Sequence, residues 1–94
     1  VAEGGTVREG EIVSIGARAA ALLQDEVLLA ALDMLRDGCI DDWKAAETVE
    51  ERERCHAQLV AANEMAKRLQ AIAAHGKHIA EKMEQRREKA SRTR

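Results

Sequence analysis

Glu53-Arg54-Cys55-His56 sets a carboxylate and an imidazole three residues apart. Carboxylate-bridged di-iron bundles use this Glu-x-x-His spacing to hold metal on one helix face. A complete site also needs a Glu from a facing helix, and this pair lies in a densely charged run beside a turn. His75 and His78 share a face, but metal sites usually want three or more protein ligands, and only Glu81 and Glu84 lie near. Both histidines read as solvated helix residues. Cys55 and His56 are consecutive, so on a helix they point apart and cannot form a nucleophile–base pair. There is no glycine-rich phosphate loop, no His-Glu-x-x-His and no serine in an elbow context. The expectation is a non-enzymatic chain with no catalytic residue, no metal site and no cofactor.

A second chemistry is phosphate contact. The formal net charge is −2, but it is unevenly distributed. Residues 1–53 carry 13 acidic and 5 basic side chains, whereas residues 77–94 carry 7 basic and 3 acidic. Arg86, Arg87, Lys89, Arg92 and Arg94 form a basic tail that could touch nucleic acid through its phosphates. The other reading is dipole matching, because cations are favoured at a helix C-terminus. Nucleic acid is the alternative partner here and not the favoured one. With a single aromatic residue, Trp43, the chain has no platform on which bases could stack.

These residues must be carried by helices. Of the 94 residues, 46% are hydrophobic and 34% charged; there is no proline, no Phe and no Tyr. The strong helix formers dominate, and the β-branched and aromatic residues of a sheet are scarce. Two cysteines are too few for a disulfide scaffold. No apolar run reaches the roughly 18–20 residues of a membrane span. The N-terminus also lacks the pattern of a signal peptide. The expected setting is a host cytoplasm, with no membrane partner.

Gly4, Gly5 and Gly10 predict a flexible arm over residues 1–10. Glu11 to Ile15 reads as part of that arm or as a short strand, with a short leading helix starting at Ser14 or Gly16. Asp25 is a candidate N-cap. Leu28, Ala31, Leu32, Leu35, Cys39, Trp43 and Ala46 then step by three and four along one helix face, in phase through Gly38; a break at Asp37-Gly38 is the alternative. Trp43 reads as a core anchor. Thr48 and Glu51 form a capping box that opens the last helix.

That last helix carries a heptad seam: Cys55, Leu59, Ala62, Ala66, Leu69, Ala73, Gly76, Ala80 and Met83. Met65, Ile72 and Ile79 widen it. The seam predicts continuation through Gly76 to about residue 88; the alternative is an end at Gly76, as a C′ glycine after His75. A turn near residue 47 brings Cys39 level with Cys55 and Leu35 level with Leu59. Helix axes lie about 8–10 Å apart, so reduced thiols are expected rather than a disulfide. A helix over 49–88 would run about 60 Å, against about 31 Å for residues 26–46. Its far half therefore needs another partner, either the leading helix or a second chain.

The expected fold is all-α: an antiparallel helical hairpin over residues 11–88, with a short leading helix and a long C-terminal one. Residues 89–94 form a basic tail, and a homo-oligomer completes the bundle. The expected interface is Leu59, Ala62, Met65, Ala66, Leu69, Ile72, Ala73, Ile79 and Met83.

From Gly16 to Glu81 the chain resembles a group of short helical proteins encoded by tailed phages and prophages. The shared landmarks are Ala17-Arg18-Ala19 with Leu22-Leu23 and Asp25, then Ala31-Leu32, Leu35-Arg36, Ile40 and Trp43. Glu51-Arg52-Glu53, Leu69, Gly76-Lys77 and Ala80-Glu81 follow. Where such proteins carry a Thr-Pro turn after the Trp, this chain has a shorter turn without proline. The resemblance implies phage origin and a structural or assembly role, with other phage structural proteins as partners and the virion as a second location.

Overall fold

The computed structural model describes the backbone of residues 2–92 and the side chains of residues 8–92. All three of its elements are helices: α1 (Ala2–Leu22), α2 (Glu26–Ala45) and α3 (Val49–Arg92). The described residues contain no strand. The chain divides into two compact units. One joins the residues up to Ala21 with those from Leu69 onward, and the other comprises Leu22–Arg68.

In the unit of residues 22–68, both helix starts are set by side chains. The Asp25 carboxylate accepts from the backbone N–H of Val27 and of Leu28, each at 2.9 Å, satisfying two of the donors that a helix N-terminus leaves unpaired. Thr48 Oγ1 accepts from Glu51 N at 3.1 Å, and the Glu51 carboxylate accepts from Glu47 N at 3.0 Å. The expected capping box is therefore present, its return arm reaching one residue further back. Gly38 lies inside α2 without breaking it.

α2 and the first part of α3 run in opposite directions, with Leu32, Cys39 and Ala62 buried between them. Arg36 Nε donates to Asn63 Oδ1 at 2.8 Å, about one turn further along α3 than a strict mirror about residue 47 would place it. Side chains lean toward the N-terminus of their own helix. In an antiparallel pair, α2 side chains therefore reach away from the turn and α3 side chains lean back toward it. Leu35 is 50% exposed and does not fill the core level expected of it.

The other unit departs further from expectation. Residues 2–10, assigned to a flexible arm, are helical in backbone, as are residues 11–15, assigned to an arm or strand. The short leading helix is a 21-residue one. A glycine within a helix costs about 1 kcal/mol relative to Ala, a penalty that packing against α3 can offset. The two helices run antiparallel, with Arg86 Nη2 donating to Glu9 Oε2 at 2.7 Å and Gly16 opposite Gly76. A Cβ added to either glycine would sit 2.7 Å from the other's Cα and 3.0 Å from a backbone carbonyl, that of Ile72 or Ile12. Both glycines are buried, and Ala19 is the buried side chain beside them. α3 runs on through Gly76 to Arg92, four residues past the expected end, so residues 89–92 of the expected tail are helical.

Three substitutions test this packing by urea unfolding of the dilute chain. Gly76→Ala should destabilise by about 1–3 kcal/mol, because backbone cannot yield to the added methyl. Gly38→Ala, where nothing lies within 4 Å of the added carbon, should stabilise by up to about 1 kcal/mol. Stabilisation by both would show that the Gly16–Gly76 approach is not tight. Asp25→Ala should cost about 1 kcal/mol through its two lost capping bonds.

Candidate functional site

Each unit has a groove built from its own helices. In the unit of residues 22–68, Cys39, Ile40, Trp43, Cys55, His56 and Leu59 line a half-open space of about 280 Å³. Cys39 is 4% exposed, Cys55 half-buried and His56 exposed. Trp43 is 50% exposed, so it walls this groove instead of anchoring a core. With only two helices packed in the unit, an indole on their shared edge has nothing to close over it.

Two thiols and an imidazole in one groove are the nearest approach to a reactive cluster. Neither cysteine is in a disulfide. Among the described residues, no three His, Cys, Asp or Glu side chains converge closely enough to hold a metal ion. Glu53 and His56 are both solvent-exposed, and so are His75 and His78. The arrangement offers an apolar surface with thiols in its floor.

In the other unit a shallow groove of about 420 Å³ follows the line where α1 crosses α3. Gly16, Ala17, Ala20, Ala73, Gly76 and Ala80 are among its walls. The small side chains that let the backbones approach leave this surface low and apolar.

The nine residues expected at an interface have mixed positions. Ala62 is buried, and Leu59, Ala66, Leu69, Ala73, Ile79 and Met83 are half-buried. Met65 and Ile72 remain exposed at 58% and 39%. Contacts within the chain thus cover much of the seam: α2 packs on its first part, and α1 on its later part.

The basic tail is also partly engaged. Arg86 is tied to Glu9, and Arg87 lies 3.3 Å from Glu84. Lys89 and Arg92 are exposed, while Arg94 lies outside the described residues. Elsewhere, Glu64 pairs with Lys67 at 3.9 Å; such exposed pairs contribute roughly 0–1 kcal/mol. No helix of the described residues is long and apolar enough to cross a membrane. No family model matches the chain, and neither a curated protein nor a solved structure matches it.

The groove orders the two thiols by reactivity. Under native conditions a small aromatic disulfide reagent should label Cys55 first and Cys39 only at the rate of local opening, since accessibility controls the reaction. Equal rates, read from Cys39→Ser and Cys55→Ser variants, would contradict the burial of Cys39.

Proposed function

We propose that the chain is a non-enzymatic helical interaction protein, acting by self-association and by binding other helical proteins. In this reading α2 and α3 form an antiparallel helical hairpin whose bundle is completed by further copies. The observation that carries the proposal is an inversion of the usual core. Among the described residues, the buried apolar side chains are Ala19, Leu32, Cys39 and Ala62, none of them fully enclosed. Twelve large apolar side chains of the described residues are exposed, among them Val27 at 78%, Met34 at 73%, Met65 at 58% and Trp43 at 50%. Scattered exposed apolar residues are ordinary on a protein surface, but contiguous apolar patches mark contact surfaces. Val27 and Met34 are seven residues apart on α2, within one unit, and lie on one helix face.

The resemblance to tailed-phage proteins supports the biological setting. The proposed role is that of a virion component or assembly factor, made in the host cytoplasm and carried into or left out of the particle. That setting has its own test: purified particles of the encoding phage should contain the chain at a defined copy number by quantitative mass spectrometry, or assembling lysates should contain it bound to particle precursors.

Self-association is tested on the isolated chain. Light scattering at micromolar concentration should give a mass at least twice that of the 10.3 kDa chain, falling on dilution. A mass that stays monomeric across that range would overturn the self-association reading.

A further inference from the structure

The outer face of α2 and one face of the C-terminal part of α3 are complementary in charge. On α2, Glu26, Asp33, Asp37 and Asp41 are spaced by seven, four and four residues, placing them on one face. All four are exposed. On α3, His75, His78, Lys82, Arg86 and Lys89 are spaced by three or four and form a second exposed face. At 1.5 Å per residue the acidic stripe is about 22 Å long, and the charged part of the α3 face, Lys82 to Lys89, is about 10 Å.

Little within the chain neutralises either stripe. Asp33 has a weak contact with Arg36 at 3.4 Å, and Arg86 is paired with Glu9. Among the described residues, Asp37 and Asp41 have no ion-pair or hydrogen-bond partner, nor do Lys82 and Lys89. Like charges four residues apart are unfavourable on an isolated helix, so each stripe gains from an opposite charge brought from outside. The same imbalance holds for whole units. By sequence, residues 22–68 carry eleven acidic and six basic side chains, whereas the remaining residues carry six and nine.

Each stripe is bordered by apolar side chains that a partner helix could cover. Val27 and Met34 flank the acidic one, and Ile72, 39% exposed, flanks the basic one with the half-buried Ile79. Gly38 lies next to Met34 and Asp41 on the outer face of α2, with open space where its Cβ would be. A glycine there has no packing role within the chain, and it leaves room for a second helix to approach closely.

We infer that the acidic face of α2 is the docking surface for the basic face of α3 in a second copy of this chain. This deepens the self-association reading and rests on it. Apolar edges contribute contact area, and the charges fix which faces meet and speed their encounter. The pairing joins two different surfaces, so it either closes by reciprocal use of both faces or continues from copy to copy.

A charge-swap experiment tests the pairing. One variant carries Asp33→Lys, Asp37→Lys and Asp41→Lys; the other carries Lys82→Glu, Arg86→Glu and Lys89→Glu. Circular dichroism confirms that each is helical, and sedimentation reads association. Each variant alone presents like charges on both faces and should associate at least about tenfold more weakly than the native chain. Mixed together, the two regain complementary faces and should associate with each other. Association of the native chain should also weaken at about 1 M salt, where the screening length is about 3 Å.

A native chain that associates while both variants do so equally well would overturn this pairing and leave the self-association reading standing. A native chain that stays monomeric would overturn both. The basic stripe would be assigned to nucleic acid instead if the α3 variant lost salt-sensitive retention on duplex DNA yet associated like the native chain.

Discussion

The contact between Gly16 and Gly76 governs how α1 and the later part of α3 pack. Two helices meet there at backbone distance, so close that a single added carbon would overlap the opposite main chain. The usual interaxial distance of about 8–10 Å reflects the side chains between helices; with none at this position, the main chains come into direct contact. Dispersion between many closely spaced backbone atoms, each pair worth only about 0.1–0.2 kcal/mol, replaces the burial of a few large side chains. The residues around the crossing follow from it, because Ala17, Ala20, Ala73 and Ala80 line the adjoining groove. Leu or Ile at those positions would crowd the approach.

The unit of residues 22–68 solves the same problem differently. Its pairing rests on ordinary core residues, Leu32, Cys39 and Ala62, and on well-capped starts to both helices. With Ala45 and Val49 as the flanking helix ends, the connection is so short that α3 must double back along α2. The capping residues stop one helix frame from running into the next, a task for which the chain uses Asp25, Thr48 and Glu51 in place of proline.

Much of this second unit was legible in the residue pattern. The capping signals work through local hydrogen bonds, and the apolar stripe of α2 stays in phase across Gly38, so neither requires knowledge of a distant partner. α1 was not legible for the opposite reason. Gly4, Gly5 and Gly10 oppose helix formation locally, whereas the contacts α1 makes with α3, Glu9 with Arg86 and Gly16 with Gly76, are with residues sixty or more positions further on. Gly16 and Gly76 each carried part of the signal, one taken as a helix start and the other as a position in the seam, but spacing alone does not pair them. Trp43 was misplaced because indoles usually anchor cores. Here the layer that would have covered it is absent from the unit.

The distribution of side-chain size then bears on what the chain is for. A small domain normally keeps its largest apolar groups inside, because the fraction of surface it can bury is limited to roughly 60–65%. This chain places glycine and alanine at its tightest contacts and leaves Trp43, Met34, Met65 and Val27 toward solvent. Each large apolar side chain left outside forgoes roughly 1.5–3 kcal/mol that full burial would contribute, a considerable amount beside the 5–15 kcal/mol that stabilises most domains. Under the proposed self-association, burial against a partner would recover that contribution and make stability depend on concentration, as in obligate oligomers. Charge follows the same division, with Asp37 and Asp41 on α2 and Lys82 and Lys89 on α3 left without ion-pair partners among the described residues. Thin internal packing and a well-furnished exterior are therefore two consequences of one allocation, in which small residues lie at the closest helix contacts and many of the large and charged ones face solvent.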